Sequence, residues 1–179
     1  SKDPKLLAQA QADYRRAAES YETYLTQHPR GKNAYEYGYY YAESLYYGEK
    51  FAEAAAAYER TRDQDPAGKY LEDAAYGAIK AREEVVAALY KSKSALEPPL
   101  PTVGAVQSPV VSLPVPEAVS KLQTAYDRFV VLVPQSDKTP LLAYKAAEID
   151  FRYLRFLAAR PRMEMILSKF CKDERAVDA

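Results

Sequence analysis

The sequence predicts an all-α stack of antiparallel helix pairs, an α-solenoid, and three observations predict it. Apolar and aromatic side chains recur at intervals of three and four, as in Tyr14, Ala17, Ala18, Tyr21 and Leu25, and again in Phe51, Ala54, Ala55 and Tyr58, the period of an amphipathic helix. One turn is reused, because Tyr21, Tyr58 and Tyr126 each precede a proline (Pro29, Pro66, Pro134) by eight residues. The stretches Asn33–Arg60 and Thr139–Met165 also align at a constant offset of 105, pairing Tyr39 with Tyr144, Ala42 with Ala147, Glu43 with Glu148, Tyr46 with Phe151, Phe51 with Phe156 and Ala54 with Ala159. Self-similarity of this kind is the signature of a repeat architecture.

In chain order, a half repeat spans residues 5–30 and stops at His28-Pro29-Arg30-Gly31. A full repeat spans 35–68 and stops at Asp65-Pro66-Ala67-Gly68. Proline and glycine together end a helix, the one by removing a donor and the other by freeing the backbone. The third repeat, 69–136, is split: its first helix is expected from about Lys69 to Tyr90 and its second from about Glu117 to Val133, ahead of Pro134. Phe129–Val133 alone reads as a strand, but it closes a helical pattern that starts near Pro116, and helix is favoured. The fourth repeat spans 140–173, and Glu174–Ala179 reads as the opening of a further first helix, which makes the chain a fragment of a longer array or one completed by a partner.

Between the halves of the third repeat, residues 91–116 carry six of the twelve prolines. That density removes backbone donors and fixes extended geometry, so no helix runs through. The segment reads as a loop; the functional alternative is an extended stretch lying along a partner or folded back over a groove of its own domain.

With these spacings in place, the chain resembles the tetratricopeptide repeat, a 34-residue helix-turn-helix unit. Residues 35–68 match its pattern through Ala42, Phe51, Ala54, Tyr58 and Pro66, with Gly38 at the usual tryptophan position and Thr61 at a usual alanine. The half repeat matches through Tyr14, Ala17, Tyr21 and Pro29, and the last repeat through Ala147, Phe156 and Ala159, with Met163 and Cys171 as departures. The resemblance implies a right-handed superhelix of three to four repeats in which first helices line the concave face. It thereby implies a groove built from Glu36, Tyr39, Glu43, Tyr46 and Tyr47, from Leu141, Tyr144, Glu148, Phe151 and Arg152, and from Tyr76 and Lys80 between them. Tyr35, Tyr41, Ala42 and Leu45 are left to pack between helices, while Tyr37 and Tyr40 stay unassigned. Tyrosine suits recognition, since its ring supplies area with few rotors to freeze and its hydroxyl meets polar partners. Family members that clamp a terminal carboxylate use lysine and asparagine on this face; Tyr39, Glu43, Tyr144 and Glu148 stand there instead, which speaks against an acidic tail as ligand.

Composition narrows the function further. The chain has 179 residues with 25 basic and 25 acidic side chains, enough length for a core but no net charge to displace counterions from nucleic acid. No run of eighteen apolar residues occurs, and SKDPKLLAQ lacks the apolar stretch of a signal peptide, so direct membrane insertion is not expected. Ser1 in place of methionine is expected of a processed start. The single cysteine, Cys171, excludes an internal disulfide framework and reads as a small half-buried side chain. His28, the one histidine, reads as a solvated turn residue, and Asp63, Asp65, Glu83 and Glu84 as solvated charges. No phosphate loop, HExxH, nucleophile elbow or calcium loop occurs, so no catalytic residue, cofactor or metal is expected.

Three functions compete: a protein-interaction scaffold taking a peptide, which includes its own proline-rich insertion; a carbohydrate or cell-wall binder using tyrosines as platforms; and a structural spacer in a longer array. The tyrosine-rich, nearly cysteine-free style resembles bacterial cell-envelope members of the family, with a periplasmic or envelope location expected and cytoplasm as the alternative. Self-association through an uncovered terminal repeat is the further expectation.

Overall fold

The computed structural model describes residues 3–102 and 109–171, and the expected helix at Glu174–Ala179 lies outside them. Among the described residues there are seven helices and no strand: α1 (Pro4–Gln27), α2 (Ala34–Tyr47), α3 (Phe51–Gln64), α4 (Leu71–Lys91), α5 (Glu117–Leu132), α6 (Thr139–Arg152) and α7 (Phe156–Lys169). The strand-like Phe129–Val133 is helical through Leu132. The chain forms two compact units, Ser1–Val85 and Val86–Ala179, with the boundary inside α4.

Helices pack in sequence order, α1 on α2 and α2 on α3 in the first unit, α5 on α6 and α6 on α7 in the second. This sequential packing is that of an α-solenoid-like fold. Its repeat is visible in the backbone. After α1, the Gly31 amide donates to the His28 carbonyl and Ala34 to Gly31; after α3, Gly68 donates to Asp65 and Leu71 to Gly68; after α5, Ser136 donates to Val133 and Thr139 to Ser136. The turns that the aligned prolines marked are thus one turn made three times.

The shorter turns inside each helix pair repeat as well. Glu49 and Leu154, 105 apart, both take the left-handed conformation, at φ 60° and 57°. Each lets the next amide reach back into the helix, Lys50 to the Leu45 carbonyl and Arg155 to the Asp150 carbonyl, both at 2.8 Å. Satisfying orphan carbonyls in this way normally calls for glycine; here a glutamate and a leucine take that conformation. Aligned side chains make the same contact too: Tyr46 meets Phe51 edge-on at 5.4 Å, and Phe151 meets Phe156 edge-on at 5.2 Å.

The N-terminal core is built from alanines, Ala42, Ala54, Ala55, Ala57, Ala74, Ala78 and Ala81, around Tyr58 and Leu45. Small side chains let helix axes approach closely, and Gly77 of α4 takes this furthest. A Cβ there lies 2.7 Å from the Tyr58 ring. Overpacking costs roughly 1–3 kcal/mol, and alanine regains roughly 0.5–1 kcal/mol over glycine in a helix. Gly77→Ala is therefore expected to destabilise the chain by about 1 kcal/mol, read as a lower urea midpoint by circular dichroism; an unchanged midpoint means Tyr58 yields freely.

The C-terminal core gathers Val119, Leu122, Ala125, Tyr126 and Phe129 of α5, Leu142, Ala143, Ala146 and Ala147 of α6, and Ala159 and Ile166 of α7. Two buried polar side chains bond to backbone carbonyls, Gln123 Nε2 to Ala146 at 2.8 Å and Thr139 Oγ1 to Val133 at 2.6 Å, while Asp150 Oδ1 has no hydrogen-bond partner among the described residues. Two sequence expectations are corrected. Cys171 is exposed rather than half-buried, lying just beyond the end of α7. Glu83 is not a solvated charge: it is largely covered and accepts from Lys80 at 2.7 Å, one helical turn away.

The proline-rich insertion is anchored where it is described. Its first arm meets α6, where Arg152 Nη1 donates to the Pro98 carbonyl at 3.0 Å and pairs with Glu97 at 3.5 Å. Its second arm meets the α6–α7 corner, where the Leu113 amide donates to the Tyr153 carbonyl at 2.9 Å. Each described arm is thus bonded to its own compact unit.

Candidate functional site

Helical spacing on α2 and α4 sends the expected tyrosines to one place. Tyr39, Glu43, Tyr46 and Tyr47 of α2 and Tyr76 and Lys80 of α4 line one open cavity of about 370 Å³, together with Tyr58, Asp73 and Gly77. Residues three and four apart on a helix share a face, so both helices present the same wall repeatedly. Absent side-chain bulk at Gly77 leaves room for the Tyr58 ring, whose hydroxyl donates to Glu43 in a short hydrogen bond.

Charge around the cavity is uneven. Lys80 is held by Glu83, while Glu43 has the Tyr58 hydroxyl and Asp73 makes no ion pair among the described residues. The tyrosines register this. Burial, followed by the fields of Glu43 and Asp73, pushes the Tyr39 phenol far above its ordinary range; burial and then Glu43 do the same to Tyr58. Tyr46 is raised by burial first and by Glu84 second.

Glu36 lies outside this cavity and organises a separate cluster. Its carboxylate accepts from the Tyr70 hydroxyl at 2.9 Å, Lys69 Nζ at 3.1 Å and the Tyr40 hydroxyl at 3.2 Å. These bonds, Tyr70's first, hold the Glu36 carboxyl below the usual range. The Tyr40 phenol is raised to about 12 by its bonds with Tyr70 and Glu36. Tyr70 also stacks flat on Tyr39, with centroids 4.3 Å apart and planes 7° from parallel. One face of Tyr39 is thereby covered, and its orientation toward the cavity is fixed.

The other α2 tyrosines divide as packing requires. Tyr37 lies against Tyr24 and Tyr21, Tyr41 donates to Glu22, and the Tyr35 hydroxyl accepts from the Tyr70 amide. Ala42 and Leu45 are buried.

In the second unit the expected face is split. Glu148 and Arg152 line a smaller cavity of about 160 Å³ with Tyr90, Tyr126, Lys145 and Tyr153. Arg152 there binds Glu148 at 2.7 Å and the first arm of the insertion. Tyr144 instead packs beside Ala143, Ala147 and Ile166, Phe151 turns to Phe156, and Leu141 is exposed without lining either cavity.

Sequence reasoning missed Tyr58, Asp73, Gly77 and Tyr70. Tyr58 matches a core position of the repeat, and nothing in the spacing distinguishes a core ring from one whose hydroxyl reaches a carboxylate. Gly77 did carry a signal, since a glycine inside a helix marks a close approach. Among the described residues no helix is long and apolar enough to cross a membrane, and no cluster of His, Cys, Asp or Glu has the arrangement to hold a metal. No protein-family model matches the chain, and no curated protein matches it.

Proposed function

We propose that the chain is a non-catalytic interaction protein of tetratricopeptide type whose N-terminal unit takes an extended segment of a partner protein in the tyrosine-lined cavity of α2 and α4. The observation that carries this reading is the convergence of Tyr39, Tyr46, Tyr47 and Tyr76 on one open cavity with charged groups at its edge. Aromatic anchors set in a pocket supply most of the energy of protein contacts, and these rings are held in place by Tyr70, Phe51 and Tyr14, so little ordering entropy is lost on binding. The bacterial cell envelope is the proposed location, on likeness of style to envelope members of that family.

The test is capture from envelope and cytoplasmic fractions of the source cells, with the parent chain and Tyr39→Ala/Tyr46→Ala side by side, after circular dichroism shows equal helicity. A specific partner is expected to be retained by the parent and weakened about tenfold or more in the variant, as loss of two anchors implies. An identical partner list sinks the reading. Tyrosine-dependent retention of polysaccharide in place of protein moves it to the carbohydrate class.

A further inference from the structure

The α2–α4 cavity is more selective than a generic peptide groove, and the inference here rests on the interaction reading above. Its walls are the rings of Tyr39, Tyr46, Tyr47 and Tyr76, and its uncompensated charge is negative. Glu43 and Asp73 both line it without an ion pair among the described residues, whereas its cation, Lys80, is already neutralised by Glu83 at 2.7 Å. Glu84 adds to the same field, since it raises the neighbouring Tyr46 phenol. An aromatic face is the negative end of a quadrupole, and a cation over it is attracted most strongly when water is excluded.

The geometry points to an arginine side chain of the partner segment as the occupant, its guanidinium lying against the tyrosine rings and its N–H groups donating to Glu43 and Asp73. Guanidinium is preferred to ammonium on two grounds. It is planar, so it stacks on rings, and it is weakly hydrated with five donors in a fixed fork, so it can meet two carboxylates together. A neutral side chain gives neither carboxylate a cation, and an acidic one adds a like charge beside both, which opposes its binding.

The test uses the full chain and three capped pentapeptides, Gly-Ser-X-Ser-Gly with X arginine, lysine or citrulline, followed by NMR of the tyrosine ring carbons. Citrulline keeps the shape of arginine and removes its charge. The arginine peptide is expected to shift the Tyr39, Tyr46, Tyr47 and Tyr76 rings. Its affinity is expected to exceed that of the citrulline peptide about tenfold and to fall with added salt. Asp73→Asn, an exposed substitution in the first turn of α4, is expected to weaken the arginine peptide several-fold and leave the citrulline peptide unchanged. Equal binding of arginine and citrulline peptides overturns the inference and leaves the peptide reading standing. Absence of ring shifts with the arginine peptide overturns the inference whatever the capture experiment gives. Loss of tyrosine-dependent capture as well overturns the reading beneath it.

Discussion

Asp150→Ala is expected to destabilise the C-terminal unit well beyond a surface truncation. Asp150 is 1% exposed, accepts from Arg162 Nε at 2.9 Å and faces Arg155 Nε at 3.4 Å. Arg162 in turn bridges to Asp127 of α5, so one guanidinium ties α5, α6 and α7 together. Truncating Asp150 leaves the half-buried Arg162 guanidinium with the Asp127 carboxylate alone, and losing a charge-assisted hydrogen bond of this kind costs roughly 1.5–3 kcal/mol. The repeat suggests the control. At the offset of 105, Asp150 corresponds to Leu45 and Arg162 to Ala57, both buried and apolar. Asp150→Leu combined with Arg162→Met replaces the pair with hydrocarbon, and replacing a whole buried pair is often neutral or stabilising. Urea unfolding followed by hydrogen exchange at α5–α7 amides is expected to show a large loss for the single change and recovery of most of it in the double. A double variant as unstable as the single refutes this account of the pair.

The same comparison shows how much was legible in the sequence. Turn prolines and the 105-residue offset placed the helices and their corners, because corners are made by local residues: Glu49 and Leu154 adopt one conformation in two places. The face shared by α2 and α4 was legible, since Tyr39, Glu43, Tyr46, Tyr47, Tyr76 and Lys80 line one cavity as helical spacing implies. That of α6 was not, because α7 on one side and the insertion on the other draw away residues that share a stripe. Tyr144 and Phe151 go to α7 and its start, while Arg152 goes to Pro98. The partners that decide such a contest lie far away in sequence; Pro98 is 54 residues from Arg152. Glu36 shows the same limit, because the residues that draw it out of the groove, Lys69 and Tyr70, belong to the next turn.

The cost of Tyr58→Phe is expected to shrink as pH rises beyond 10. At neutral pH the phenol donates to Glu43 from a position that is 2% exposed, and a hydrogen bond to a charged acceptor contributes roughly 1.5–3 kcal/mol. The phenylalanine variant is therefore less stable near pH 7. In alkali that advantage is lost. Burial first, and then the Glu43 carboxylate, raise the Tyr58 pKa in the folded state, whereas an unfolded tyrosine ionises near 10. A group whose folded pKa is raised contributes its stability fully below the unfolded value and loses it as pH climbs beyond, since the unfolded chain then gains by releasing its proton. Tyr39 and Tyr90, raised first by burial, add to the same slope. The parent is expected to unfold cooperatively above pH 10, with a fraction of its tyrosinate absorbance appearing only as the helical signal is lost. Removing the Tyr58 hydroxyl removes one of these contributions to that slope. Stability curves of parent and variant should therefore converge above pH 10, with the variant's alkaline midpoint displaced less from its neutral stability than the parent's. Parallel curves across that range mean that Tyr58 ionises without unfolding, and that its burial does not hold the proton on.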